Sequence, residues 1–225
     1  MRNTISISLS TLVMGFICPI ILALLINQIG SKKIKGFVQT ITYMPHFIST
    51  VVIVSMISIF LNPNSGFIGR FFNEDGKSVL GDPNLFTPIY WISEVWQHCG
   101  WNSIIYLAAL AGVDTALYEA AKMDGASVCS SFATSIFRLF FLPVACSDSE
   151  HGLRAYVGFE KVFLMQNSLN LSSSEVISTF VYKMGFVSNQ YSYSTAIGLF
   201  NTLINFVFLV VANAISKRVS DTSIF

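Results

Sequence analysis

Ionisable side chains are scarce in this sequence. Lys, Arg, Asp and Glu make up 11% of its 225 residues while 53% are hydrophobic, whereas soluble domains average about 25% charged residues. That shortage excludes a disordered chain and most soluble enzymes. Net charge is nearly absent too: 13 Lys+Arg against 12 Asp+Glu leave +1, which gives no overall pull towards polyanions, so nucleic acid is not an expected partner. Cysteine is sparse and unpatterned. Cys18, Cys99, Cys129 and Cys146 form no C-x-x-C pair and have no metal-ligand spacing, so they read as packing residues and no metal site is expected. Nor does the opening apolar run read as a signal peptide. It is longer than an h-region of about 7–15 residues, and no small-x-small site closes it.

Long apolar runs are what the sequence does have. Stretches poor in charge cover residues 5–29, 37–61 and 89–113, with a poorer candidate at 137–158 and a good one at 193–215. In a bilayer each must be helical, because an unpaired backbone amide there costs several kcal/mol. The expectation is an all-α polytopic transmembrane bundle, a single domain over residues 1–225 with about five spans of about 20–25 residues each. Lys32, Lys33 and Lys35 follow the first span, and Lys217 and Arg218 follow the last. The positive-inside rule puts both clusters in the cytoplasm. Loop 62–88, with its Asn-Pro, Asp-Gly and Gly-Asp-Pro turn signals, is then external. Alternation makes 114–138 cytoplasmic and 159–191 external. This topology starts with the N-terminus outside, so an upstream span is expected to be missing.

Some spans carry a mixed face. Glu94, His98 and Asn102 recur at i, i+4 and i+8, which puts one polar stripe on a helix face turned away from lipid. The stripe fits the lining of a solute path. It also fits an interhelical hydrogen-bonding seam or a helix start in the outer headgroup region. Trp91, Trp96 and Trp101 suit an interfacial belt. As a zinc or acid–base pair Glu94 and His98 are too few, and His46 and His151 have no ligand spacing around them. His46 follows Pro45 inside the second span, where a proline kink frees a carbonyl that neighbours must satisfy; such kinks also line cavities. Asn201 and Asn205 mark a packing face of the last span, with a pathway role as the alternative.

The cytoplasmic loop carries the most specific signal. Asp114 or Thr115 can cap a short helix holding Leu117, Tyr118 and Glu119. Ala120 and Ala121 keep its surface flat, and Asp124-Gly125 ends it. A small-sided helix of this kind fits a groove on another protein. Glu119-Ala120-Ala121 followed by Asp124-Gly125-Ala126 resembles the EAA loop of inner-membrane permease subunits in binding-protein-dependent ABC importers of the type I class. Arg2-Asn3-Thr4, Tyr43-Met44-Pro45-His46-Phe47, Gly81-Asp82-Pro83 and the stretches 101–112, 157–170 and 190–200 resemble a carbohydrate-importing subgroup.

The resemblance implies a type I permease fold and a division of labour. Glu119, Ala120, Ala121, Asp124, Gly125 and Ala126 would form a coupling helix seated in a cytoplasmic ABC ATPase. A second homologous permease subunit would complete the pore, and an extracytoplasmic solute-binding lipoprotein would deliver an oligosaccharide or similar sugar to the external loops. The location implied is a bacterial cell membrane, multi-pass. No G-x-x-x-x-G-K-S/T loop occurs here, so no cofactor is expected on this chain and ATP is bound by the partner ATPase. The chain itself is not expected to be an enzyme. The alternatives are a membrane-integral enzyme using Glu94 and His98, and a non-functional truncated remnant of the permease.

The family pattern breaks after Ala126. In the family a His-Ile-x-Leu-Pro motif follows at closer spacing, whereas here Pro143 stands 24 residues after Glu119. A reading frame offset by two bases across residues 129–143 restores that motif. The expectation is a frameshifted stretch within residues 128–156, where Asp148, Glu150 and Arg154 fall in the fourth span. Charges near a bilayer centre cost about 2.5–3.5 kcal/mol each on insertion scales.

Overall fold

The computed structural model describes residues 2–72, 78–111 and 158–219. The coupling-loop residues 119–126, the anomalous stretch 128–156 and the fourth span at 137–158 therefore lie outside the described residues, except for Gly158.

All regular structure among the described residues is helical. Helix α1 (Arg2–Asn27) falls on the first expected span and α5 (Pro83–Ala111) on the third. Between them come α2 (Lys32–Tyr43), a 3-10 turn (Met44–Phe47), α3 (Thr50–Phe60) and α4 (Phe67–Phe72). Short helices α6 (Phe159–Met165), α7 (Leu171–Ser174) and α8 (Ile177–Tyr182) precede a π-helical turn (Lys183–Val187), and α9 (Tyr191–Val219) falls on the last expected span. Helix α1 meets the length and apolarity needed to cross a membrane, with a mean hydropathy of 2.6 over its best window. Helices α5 and α9 have 29 residues each, about 43 Å at 1.5 Å per residue, and both carry polar side chains.

The second span differs from the continuous helix read from sequence. Residues 32–47 and 50–60 are long and apolar enough to cross a membrane only as a pair, bent by 97° at the break between them. Pro45 lacks an amide hydrogen, and the turn around it tightens to 3-10 geometry before extended residues Ile48 and Ser49 redirect the chain. Span three also starts earlier than read: Pro83 opens α5, with the Asp82 carboxylate accepting the Asn84 amide at 2.8 Å.

Helices α1 and α5 pack side by side and run in the same direction. Ile7 meets Phe86 and Tyr90 in one core cluster, and Ala23 meets Tyr106 and Leu110 in the other. The first cluster also takes in Val54 of α3, Val162 and Met165 of α6, and Val176. Helix α2 crosses α5 so closely that a Cβ on Gly100 would run into the Thr42 carbonyl.

Side-chain hydrogen bonds gather one end of the bundle. Asn3 Nδ2 donates to the carbonyls of Ser172 (2.8 Å) and Glu175 (3.2 Å), and Thr4 Oγ1 accepts the Ile177 amide at 3.2 Å. Fully buried Asn170 donates to Leu80 O at 2.9 Å and Met165 O at 3.1 Å. The start of α1, residues 78–82 and residues 165–177 thus share one end.

Candidate functional site

The site grows from the polar face of α5. Glu94 and His98 are one turn apart, and their side chains stay 27% and 34% exposed while most of α5's neighbours are apolar. A carboxylate so placed needs partners. Lys161 of α6 reaches it: Nζ stands 2.8 Å from Glu94 Oε2 and is 3% exposed. The same ammonium donates to Gln97 Oε1 at 3.2 Å. Gln97 Nε2 in turn donates to the Ile48 carbonyl at 3.2 Å, at the break in the second span.

The other oxygen of the carboxylate faces His98 Nε2 at 3.4 Å, and His98 Nδ1 lies 3.1 Å from His46 Nδ1. Two ring nitrogens at that distance need one donor and one acceptor. Nε2–H on His98 and Nδ1–H on His46 satisfy both contacts with neutral rings. His46 is further held by Trp101, whose ring stacks on it at 4.5 Å with an interplanar angle of 5°. Trp101 therefore packs on the break in the second span as well as suiting an interfacial belt. The polar chain leaves the broken segment at His46, passes through His98, Glu94, Lys161 and Gln97, and returns to it at Ile48.

Glu94, Gln97, His98 and Lys161, together with Glu160 and the rings of Tyr90 and Phe159, line a cavity of about 260 Å³. Its walls offer carboxylates, an ammonium, an amide and an imidazole beside two aromatic rings. That lining suits hydroxyl-rich ligands, which need donors and acceptors in turn. Among the described residues there is no group of three or more His, Cys, Asp or Glu able to hold a metal ion.

The structure brings together two of the residues singled out by periodicity, Glu94 and His98. Asn102, one turn further along α5, is half-buried and bonds no described residue. Asn201 and Asn205 are half-buried on α9. The start of that helix is tied elsewhere, by Ser194 Oγ donating to the Val181 carbonyl at 2.8 Å, and neither asparagine bonds any of the described residues. Sequence reasoning missed Lys161 and Gln97, and it treated His46 as belonging to a separate segment. One signal was present: Lys161 sits between Gly-Phe-Glu and Val-Phe-Leu-Met, an apolar setting in which a lysine needs a buried partner.

Comparisons with known proteins agree with this architecture. The family model for the binding-protein-dependent transport system inner membrane component matches residues 15–221. Protein LplB of Bacillus subtilis is 35% identical over 236 residues, which cover 100% of this chain and 72% of the relative. The polygalacturonan/rhamnogalacturonan transport system permease protein YteP of Bacillus subtilis is 35% identical over 229 residues, covering 100% and 71%. A chain of the bacterial alginate ABC transporter, solved in complex with its alginate pentasaccharide-bound periplasmic protein, superposes with a TM-score of 0.94 at 34% identity, covering 100% of this chain and 79% of that one. The all-α fold read from the sequence is thus the fold of an ABC importer's membrane subunit, and the chain belongs to the family of binding-protein-dependent transport system inner membrane components.

Proposed function

We propose that this chain is one permease subunit of an ATP-driven importer, forming half of a translocation pathway for an oligosaccharide or related sugar in a bacterial cell membrane. The observation that supports this most directly is the likeness, over 100% of this chain and 79% of the other, to a chain of an alginate ABC transporter crystallised with its alginate-bound periplasmic protein. The name of a relative points the same way, to a polygalacturonan/rhamnogalacturonan transport system. The hydroxyl-matching cavity beside Glu94 and Lys161 fits the wall of such a path.

In this reading a second homologous permease completes the pore and an extracytoplasmic solute-binding lipoprotein delivers the sugar. A cytoplasmic ABC ATPase binds and hydrolyses ATP, and this chain holds no cofactor of its own. Coupling runs through Glu119, Ala120, Ala121, Asp124, Gly125 and Ala126. Small alanine side chains permit close seating in a groove, Glu119 offers a charge to it, and Gly125 allows the chain to turn away. Co-purification tests the assignment. The ATPase is expected to co-purify with the wild-type subunit and to be lost with Gly125→Trp and with Glu119→Lys. Retention of the ATPase by both variants refutes that docking site.

A further inference from the structure

A helix broken inside a membrane exposes backbone groups that water does not reach, so side chains must satisfy them. In the second span the Ile48 amide is taken by the Pro45 carbonyl at 3.1 Å. The Ile48 carbonyl depends on Gln97, whose Nε2 stands 3.2 Å away. A glutamine amide can present either its NH2 or its oxygen to a given neighbour, and contacts on the far side decide which. Here the far side is the Lys161 ammonium, 3.2 Å from Oε1. An ammonium has only donors, so it forces the oxygen towards itself and the NH2 towards Ile48.

Glu94 explains how the lysine can be there at all. Its carboxylate at 2.8 Å compensates the burial of a charge that is 3% exposed. Buried ion pairs are weak sources of net stability, whereas a fixed donor at this point sets the direction of everything beyond it. From these contacts we propose that Lys161 is a positioning residue of the translocation path: it acts through Gln97 to hold the broken second span in the orientation that shapes the cavity wall. The inference rests on the transport reading above.

Backbone hydrogen exchange tests this on the assembled complex in lipid nanodiscs. The variants are Lys161→Gln, Lys161→Arg, Gln97→Met and the double Glu94→Gln/Lys161→Gln, which leaves no buried charge unpaired and so guards against simple misfolding. Amides of residues 48–53 are expected to exchange at least tenfold faster in Lys161→Gln, in Gln97→Met and in the double variant, while α1 amides at 16–24 keep their wild-type rates. Lys161→Arg, which keeps the charge and presents only donors, should stay within about twofold of wild type at both sites. Unchanged rates at 48–53 in the double variant or in Gln97→Met overturn the proposal. Equal acceleration in α1 also overturns it, because that is the mark of a general loss of packing. Failure of the transport reading is visible separately, as a purified complex without its ATPase whatever the exchange pattern.

Discussion

At the residue scale the site divides by how its members act. Glu94 and His98 share a helix face by periodicity alone, so local geometry is enough to pair them. Lys161 and Gln97 meet across 64 positions of sequence, and no spacing rule connects them. Gly100 is a different case, in which a missing side chain is the structural feature. Its α-carbon faces the Thr42 carbonyl at the crossing of α2 and α5, with no room for a Cβ. Small residues at helix crossings let backbones approach in membranes. Gly100→Val should therefore destabilise the subunit by about 1–3 kcal/mol, as overpacking does. A lowered Tm of the detergent-purified protein measures it, and an unchanged Tm means that the crossing yields without cost.

At the element scale two tertiary features organise the bundle. One is the parallel seam of α1 and α5, with Ile7 against Phe86 near the start and Ala23 against Leu110 near the end. The other is the clasp around Asn170, which accepts from the Asn167 amide at 2.9 Å and the Ser174 hydroxyl at 2.9 Å while donating to Leu80 and Met165. Asn170→Leu strands these groups, and a buried polar group left unsatisfied costs about 1–3 kcal/mol. Limited proteolysis of the purified complex should then cut faster between α6 and α8 than in wild type. Equal cleavage rates remove the clasp as a stabilising element. The break in the second span belongs to this scale as well. Pro45 marked a kink in the sequence, but an apolar run carries no information about direction. The bend of 97° is met by neighbours from α5: Gln97 donates to the Ile48 carbonyl, and Trp101 stacks on the His46 ring.

At the scale of the whole molecule, large apolar side chains cover the outside. Leu9 and Leu25 of α1 are 60% and 62% exposed, and Leu199 of α9 is 70% exposed. So much apolar surface suits contact with lipid or with other membrane subunits. The hydrogen bonds of Asn3, Thr4 and Asn170 put the start of α1 and residues 78–82 and 167–177 at one end. Ser31 and the adjacent Lys32 follow α1 at the other. Single cysteines in a cysteine-free background should respect this. Ser172→Cys is expected to react with an impermeant maleimide on intact cells, and Ser31→Cys only after permeabilisation. Labelling of Ser31→Cys on intact cells reverses the topology.

The sequence by itself determined the all-α class, the approximate positions of the long helices on the first, third and last apolar runs, and the polar face of α5. Each follows from composition or from a helical period, which are local properties of the chain. Family membership was legible in motifs such as Glu119-Ala120-Ala121 and Asp124-Gly125-Ala126, and the match over residues 15–221 agrees with it. Only the tertiary structure decided that the second span is broken, that His46 joins His98, and that Lys161 neutralises Glu94 beside a cavity. Burying an ammonium or a freed carbonyl is costly until a specific partner arrives, and those partners come from helices far apart in the chain.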